Sequence, residues 1–395
     1  MKIVKLKDLT IDGKGTYGIA APAVDWQENL PTYLRITDIF DDGTLNFSGL
    51  KSVSDSNAGK YFLNPNDIVF ARTGGSTGRS YFYDGTDGKF VYAGFLIKFS
   101  LDSKKVNPKY IKYFCLSESY KKWVHSFNTG STRGNINAQT FGNLEIPLLE
   151  RPQQDKIVSF LDSIDQKIKI NKKTNDNLEQ QAQSYFQELF VDNADPEWAI
   201  GTISDLGTVV GGSTPSKAKP EYYTESGIAW ITPKDLSINK SKFVSHGEND
   251  ITELGLKNSS AAIMPEGTVL FSSRAPIGYI AIAAGEVTTN QGFKSVVPKP
   301  EIGTPFVYFF LKNTLPVIEG MASGSTFKEV SGSTMKNVPA VIPDAETLAK
   351  FSDFCAPIFA QQRILEEQNQ SLATLRDNLL PKLMSGEIDV SAVQL

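Results

Sequence analysis

Apolar positions that step alternately by four and three residues run along two segments of the chain. The first seam extends from Ile157 to Leu189, and the second extends from Phe351 to Leu383 with polar insertions. A heptad spacing of this kind predicts a long helix that packs against another helix. At about 1.5 Å per residue, roughly 36 residues form a rod of about 54 Å. Such a rod has few core residues of its own half to pack on, so pairing of the two helices would bury both seams. We therefore predict two long antiparallel helices that form a coiled coil.

Polar residues also occur in these seams. Asn175 and Asn369 occupy equivalent positions and either fix the register of the helices or mark a solvated stretch. The residues predicted to pair the helices, or to contact a partner, are Ile157, Leu161, Ile164, Ile168, Asn175, Leu178, Ile358, Leu365, Asn369, Leu372 and Leu379.

The regions before each seam have a different pattern. Short runs rich in β-branched and aromatic residues, such as 67–71, 90–93 and 267–271, lie between turns of Gly, Pro, Asn and Ser and predict strands. Helical pieces are predicted at 108–123 and 305–318. The fold class is therefore α+β. Four parts are predicted: a globular domain at 1–150, a long helix with linker at 151–196, a second globular domain at 197–345, and a long helix with tail at 346–395.

The chain contains an internal repeat. A shift of 194 residues places Gly130-Ser-Thr132 on Gly324-Ser-Thr326 and Ile157 on Phe351. Arg72 and Arg274 end strand-like runs that this repeat makes equivalent. The chain is therefore interpreted as two tandem halves related by a two-fold pseudo-repeat.

Composition narrows the class of protein. At 395 residues the chain exceeds one ordinary domain, and its 40% apolar and 21% charged residues are typical of globular proteins. No signal or membrane-spanning pattern is present, so a cytoplasmic protein with no membrane contact is expected. Two cysteines and two distant histidines provide neither a disulfide framework nor a metal site. The net charge of −4 does not indicate nucleic-acid binding, for which a basic surface is typical.

The sequence contains no recognisable catalytic motif. The loop Arg72–Ser80 is rich in Gly, Ser and Thr, but it lacks the GxxxxGK[ST] spacing of a phosphate-binding loop. We therefore expect a non-catalytic protein that holds no cofactor and no metal.

The loops between the strands suit DNA recognition, because hydroxyls and amides bind phosphates while Arg, Asn and Gln reach base edges. Ordinary turn chemistry also accounts for each loop taken alone. The predicted DNA-binding residues of the first half are Arg72, Thr73, Ser76, Thr77, Arg79, Ser131, Thr132, Arg133 and Asn135. Those of the second half are Thr214, Ser216, Lys217, Lys234, Ser273, Arg274, Asn290, Gln291, Ser325, Thr326 and Lys328.

Several motifs recur along the chain. The second half carries Gly211–Pro215, Trp230–Asp235, Ser273–Gly278, Thr289–Gly292 and Gly324–Lys328, and the helices carry Pro152–Ile157 and Leu383–Val390. Together these motifs resemble one family, the specificity (S) subunits of type I restriction-modification systems, over essentially the whole chain. The first half departs from the family pattern because it lacks the Gly-Gly-Ser-Thr-Pro opening, and it resembles another recognition subclass through 70–74 and 135–138.

The resemblance implies a subunit without chemistry of its own. Two target-recognition domains would each read one half of a bipartite site in double-stranded DNA, held apart by the paired helices. Two modification subunits would bring S-adenosylmethionine and the methylating site, and restriction subunits would add translocation and cleavage. These partners could also supply the missing positive charge. A non-catalytic two-domain scaffold or an RNA-binding adaptor is the alternative.

Overall fold

A computed structural model describes residues 2–127, 134–324 and 328–388 of the chain. The chain forms two compact units: unit 1 comprises residues 1–167 and 371–395, and unit 2 comprises residues 168–370. Among the described residues there is no helix with the length and apolar character needed to cross a membrane.

Unit 1 contains two four-stranded sheets and a two-stranded ribbon. Its strands are β1 (Lys2–Lys5), β2 (Thr16–Tyr17), β3 (Ala23–Val24), β4 (Thr32–Leu34), β5 (Lys51–Val53), β6 (Asp67–Ala71), β7 (Ser80–Tyr83), β8 (Phe90–Tyr92), β9 (Leu96–Ser100) and β10 (Glu145–Leu148). The sheets have the strand orders β2-β9-β6-β7 and β3-β5-β4-β8, and β1 pairs with β10. The helices that begin in this unit are α1 (Pro108–Phe114), α2 (Glu118–His125), α3 (Ala138–Gly142) and α4 (Arg151–Gln187).

The central strand β6 explains how unit 1 is held together. All five of its residues are buried, and β7 and β9 flank it in the sheet. Phe70 stacks on Phe141 of α3 at 4.7 Å between ring centroids and meets Phe99 of β9 edge-on. Burial on both faces accounts for the continuous apolar run in the sequence.

Unit 2 repeats this arrangement. Its strands are β11 (Ala199–Thr202), β12 (Gly207–Gly211), β13 (Tyr223–Thr224), β14 (Ile228–Ile231), β15 (Phe243–Val244), β16 (Asn249–Ile251), β17 (Val269–Ser273), β18 (Ile277–Ala283), β19 (Thr288–Thr289), β20 (Lys294–Pro298) and β21 (Pro339–Ile342). The sheets have the orders β12-β20-β17-β18-β15 and β13-β16-β14-β19, and β11 pairs with β21. The helices are α5 (Ile203–Leu206), α6 (Pro233–Ile238), α7 (Glu253–Lys257), α8 (Thr304–Gly320), α9 (Gly332–Lys336) and α10 (Ala345–Ser385).

The two units share one topology. In each, one sheet has a four-stranded antiparallel part, β2-β9-β6-β7 in unit 1 and β12-β20-β17-β18 in unit 2, to which unit 2 adds β15 parallel to β18. A second sheet contains one parallel pair, β4 with β8 in unit 1 and β14 with β19 in unit 2. The ribbon of each unit ends immediately before a long helix, α4 or α10. The predicted internal repeat is therefore confirmed, and unit 2 differs by the extra edge strand β15.

Each unit contains part of α4 and part of α10. In unit 1, Ile157 and Leu161 of α4 share a buried cluster with Leu380 and Leu383 of α10. In unit 2, Ala182 and Phe186 of α4 share one with Phe351 and Cys355 of α10. A π-helical segment, Glu188–Asp192, continues α4.

The predicted pairing residues differ in burial. Ile157, Leu161, Ile164, Ile358 and Leu365 are buried. The remaining six, which are Ile168, Asn175, Leu178, Asn369, Leu372 and Leu379, are partly buried.

Four predicted elements have different bounds in the structure. The strand predicted at 90–93 ends at Tyr92, and the helix predicted at 305–318 spans Thr304–Gly320. The single helical piece predicted at 108–123 is two helices, because Ser117 begins α2 by accepting a hydrogen bond from Tyr120 N with its side chain. The strand predicted at 267–271 begins two residues later, at Val269, since Gly267 has a φ of +83° and belongs to the preceding turn.

Candidate functional site

Arg72 and its neighbours form the first cluster of predicted DNA-binding residues. Arg72 follows β6 directly, and its carbonyl accepts a hydrogen bond from Ile136 N at 2.9 Å. The next residue, Thr73, forms an antiparallel bridge with Asn135. The structure therefore brings the loop after β6 together with the segment that precedes α3. We call Tyr17, Arg72, Thr73 and Asn135 the Arg72 cluster.

The guanidinium of Arg72 lies over the ring of Tyr17, 5.1 Å from the ring centroid. Its Nη2 donates a long hydrogen bond of 3.4 Å to Asn135 Oδ1. The Nε atom is buried and has no hydrogen-bond partner among the described residues. An aromatic face can hold a guanidinium in place while leaving its N–H groups unused.

Three other predicted residues of the first half already have partners within unit 1 or are buried. Arg79 donates from Nε and Nη2 to Asp41, at 2.7 and 3.1 Å, and from Nη1 to the carbonyl of Ile39 at 3.0 Å. Thr77 Oγ1 lies 2.7 Å from the carbonyl oxygen of Gly74 and 3.1 Å from that of Gly134, so its single hydroxyl hydrogen is used within the domain. Ser76 is buried.

Arg274 and its neighbours form the corresponding cluster of unit 2. Arg274 bridges with Glu329, and its Nη1 lies 3.6 Å from a Glu329 carboxylate oxygen. The other carboxylate oxygen lies 3.8 Å from Lys294 Nζ. Burial lowers the pKa of Lys294, and Glu329 opposes that shift. We call Arg274, Lys294 and Glu329 the Arg274 cluster.

Gly212 fixes a second group of predicted residues in unit 2. A methyl group on Gly212 would lie 2.0 Å from the carbonyl oxygen of Asn290, so only glycine permits this approach. The next residue, Ser213, donates its backbone N–H to Thr289 at 2.8 Å. Thr214 then donates its hydroxyl to the exposed Gln291. The structure thus brings Thr214, Asn290 and Gln291 together.

Other predicted residues lie apart from these clusters. Lys234 is exposed and pairs with Glu248 at 2.6 Å. Ser216, Lys217 and Lys328 are exposed, and within the described chain no hydrogen bond or ion pair joins them to the Arg274 cluster. Ser273 is buried and donates its hydroxyl to Gly292. Five predicted residues, which are Ser131, Thr132, Arg133, Ser325 and Thr326, lie outside the described residues.

The sequence repeat predicts that Arg72 and Arg274 occupy equivalent positions, and the structure shows that this match is wrong by one residue. Ile136 N bonds the carbonyl of Arg72, whereas Val330 N, its counterpart in the repeat, bonds the carbonyl of Ser273. Arg72 therefore corresponds to Ser273, and Arg274 corresponds to Thr73. A shift of one residue moves a side chain to the other face of a strand, so the two arginines are not interchangeable.

The sequence interpretation missed the opening of the first half. Tyr33 donates its hydroxyl to the carbonyl of Ile19 at 2.9 Å, as Trp230 donates Nε1 to the carbonyl of Ser213 at 2.9 Å. Asp38 caps the following turn as Asp235 caps α6. The spacing of an aromatic residue followed five positions later by Asp could have revealed this match.

The same correspondence identifies the residue that faces Arg72. Gly18 matches Gly212, because a methyl group on Gly18 would lie 2.2 Å from the carbonyl oxygen of Tyr92. Tyr17 therefore occupies the position of Gly211. The first half does have an equivalent of the Gly-Gly opening, with a large aromatic residue in place of its first glycine.

In the described ranges, 2–127, 134–324 and 328–388, no three His, Cys, Asp or Glu side chains are grouped so that they could hold a metal ion.

Comparison with known proteins supplies the family. The family model described as "Type I restriction modification DNA specificity domain" matches twice, at residues 1–180 and 196–375. The MjaIX specificity subunit of Methanocaldococcus jannaschii is 39% identical over 191 residues, which are 46% of this chain and 44% of that protein. The HindI specificity subunit of Haemophilus influenzae is 22% identical over 407 aligned residues, covering 83% of this chain and 88% of that protein.

A solved structure has the same fold. The crystal structure of the type I restriction-modification S subunit from M. genitalium matches with a TM-score of 0.57 at 18% identity, covering 97% of this chain and 95% of that one. Specificity subunits are the non-catalytic DNA-recognition components of these systems. With both halves matched by the family model, this chain belongs to the type I restriction-modification DNA specificity family.

Proposed function

We propose that this chain selects the DNA target of a type I restriction-modification complex, with each half reading one half of a bipartite site. The recognition domains would span 1–150 and 197–345. The segments 151–196 and 346–395 would form an antiparallel coiled coil that separates them. Double-stranded DNA would be its partner, and we expect the complex to work in the cytoplasm.

One observation carries this proposal: the units share a topology but carry unlike side chains at matching positions. Where unit 1 has Thr73 and Asn135, unit 2 has Arg274 and Glu329. A repeated scaffold with different polar groups suits two different half-sites, since base identity is read by the donors and acceptors that side chains present.

Repeated apolar surface supports docking of two copies of one modification subunit. On the ribbon of unit 2, Ile200 is 84% exposed and lies opposite Val341, which is 41% exposed. On the ribbon of unit 1, Ile3 is 57% exposed and lies opposite Pro147. Exposed apolar groups at matching positions suit equivalent protein contacts. Restriction subunits would join the complex through the modification subunits.

Methylome sequencing tests the proposal. The full chain would be co-expressed with its modification subunit in a host without other adenine methylation. A bipartite methylated motif with a fixed spacer is expected, and loss of methylation without this chain is the control. Methylation independent of the chain would contradict the proposal. Binding of the complex to RNA in preference to duplex DNA would favour an adaptor instead.

A further inference from the structure

We propose that Arg72 reads a guanine in the half-site bound by unit 1 and that Tyr17 is the positioning residue that presents its guanidinium. This inference rests on the proposed function and adds a base identity to it. Arginine recognises guanine by donating two hydrogen bonds to O6 and N7 in the major groove. That contact needs a planar fork with free donors in a defined orientation.

Arg72 has no carboxylate partner in the part of the chain that the structure describes. Arg35, Arg79 and Arg274 each lie within 4 Å of an acidic oxygen, whereas no ion pair to Arg72 occurs among the described residues. Residues 128–133, which lie outside the described ranges, contain no Asp or Glu in their sequence. A partly buried guanidinium without an anion retains its positive charge and its donors for a ligand.

The ring of Tyr17 supports the guanidinium of Arg72. The ring lies 5.1 Å below Arg72 Cζ. Tyr17 is itself held, because β2 pairs with β9 and the Tyr17 hydroxyl accepts a hydrogen bond from Ala138 N at 3.1 Å. A stacked aromatic ring restricts rotation of the guanidinium without occupying its N–H groups. Unit 2 has Gly211 at this position, so the arrangement belongs to one half-site.

The experiment compares four variants of the full chain, each co-expressed with the modification subunit. Tyr17→Leu removes the ring, Tyr17→Phe keeps it, and Arg72→Lys keeps the charge without the fork. Phe47→Leu is the matched control, since Phe47 is an exposed aromatic residue of the same unit. Motifs are read from the methylome, and competing duplexes that differ at one base give the preference for guanine.

Tyr17→Leu and Arg72→Lys are expected to lose the preference for guanine at one position of one half-site by about 5- to 150-fold. Tyr17→Phe should retain most of it, and Phe47→Leu should leave both half-sites unchanged. An unchanged motif in Arg72→Lys would show that Arg72 reads no base. Equal weakening on all sequences would show a phosphate contact, and either result would overturn the inference. If Tyr17→Leu unfolds, Arg72→Lys still decides the matter. A wild-type chain that directs no motif would refute the proposed function itself.

Discussion

Arginine residues of unit 1 illustrate how partners decide what a side chain can do. Arg79 and Arg72 flank the same loop, and the sequence predicts both to bind DNA. Arg79, however, uses three donors within the domain, on Asp41 and Ile39. Arg72 uses one, on Asn135. Only the structure distinguishes them, because the acidic partner of Arg79 lies 38 residues away in the sequence.

This difference predicts opposite effects of two substitutions. Arg79→Ala should lower the free energy of unfolding by about 1 kcal/mol, because a bidentate but largely exposed ion pair and one hydrogen bond are lost. It should leave the methylated motif unchanged. Denaturant titration and methylome sequencing would measure the two effects. Altered recognition at one base in Arg79→Ala would instead show that this arginine leaves Asp41 to read DNA.

How far the sequence predicts residues depends on the kind of pattern. Periodic burial is local, so β6 and the seam residue Leu161 could be predicted correctly. The pairing of Thr73 with Asn135 joins chain segments about 60 residues apart, and the spacing of residues along the sequence does not predict it. The one-residue error at Arg274 has the same cause, since the loops between matching strands differ in length.

At the scale of elements, the long helices of unit 2 contain a polar contact where the heptad pattern has asparagines. Asn171 is buried, and its Nδ2 donates to Asn369 Oδ1 at 3.0 Å. Asn175 instead donates to the carbonyl of Gln362 at 3.3 Å. Asn369 therefore pairs with Asn171 and not with Asn175, its equivalent in the repeat.

Removing one residue of the Asn171–Asn369 pair should cost more stability than removing both. Asn171→Leu alone should lower the free energy of unfolding by about 1 kcal/mol, because Asn369 loses its donor. The double change Asn171→Leu with Asn369→Leu should restore or exceed wild-type stability. Denaturant midpoints of both variants provide the measurement. A double variant less stable than the single one would assign the pair a further role, such as fixing register.

A carboxylate of α4 joins the helices of unit 2 to its domain. Glu179 accepts from Lys242 at 2.8 Å, from Lys312 at 2.5 Å and from the Tyr308 hydroxyl at 3.1 Å. In unit 1, Asp165 of α4 likewise accepts from Lys112, Tyr113 and Arg376. In each unit, one partly buried carboxylate of α4 thus binds a lysine and a tyrosine of the globular domain.

The charges and the burial at this site shift the pKa of Glu179 and the pKa of Lys242. Burial alone would raise the pKa of Glu179, but Lys242 and Lys312 outweigh it and hold the pKa at about 2. Burial lowers the pKa of Lys242 to about 8, against the attraction of Glu179. Both residues are charged at pH 7.

A pH dependence of stability follows. The pKa of Glu179 is lower in the folded chain than its ordinary value of 4.5, so its contribution is complete above about pH 4.5 and is lost as the pH falls towards 2. Glu179→Gln should lower the free energy of unfolding at pH 7 by about 3 kcal/mol, because Lys242 stays buried without its anion. The difference from wild type should shrink below pH 4.5.

Denaturant titrations between pH 3 and 7 would test this dependence. The exposed Glu301, changed to Gln, is the control and should lose little at any pH. A loss in Glu179→Gln that stays constant across that range would exclude an ionised carboxylate as the stabilising group.

At the scale of the whole molecule, the exposed ribbon residues predict the composition of the complex. Replacing Ile200 and Val341 by Asp should remove one of two modification subunits, because a buried carboxylate without a partner is costly. Native mass spectrometry should show one chain with one such subunit. Ile238→Asp, at another exposed isoleucine of unit 2, should retain both. Two bound subunits in the ribbon variant would place the docking surface elsewhere.

Exchange of an entire domain is the broadest prediction. Residues 197–345 include every strand of unit 2, from β11 to β21, so their replacement by another recognition domain should change one half-site and preserve the other. The replacement must supply cations in the places of Lys242 and Lys312, since the partly buried Glu179 would otherwise lose both of its cationic partners. Two chimaeras, with and without those lysines, separate folding from recognition. Methylome sequencing of the folded chimaera should give a motif with one new half-site, and a change in both half-sites would mean that the halves do not read DNA independently.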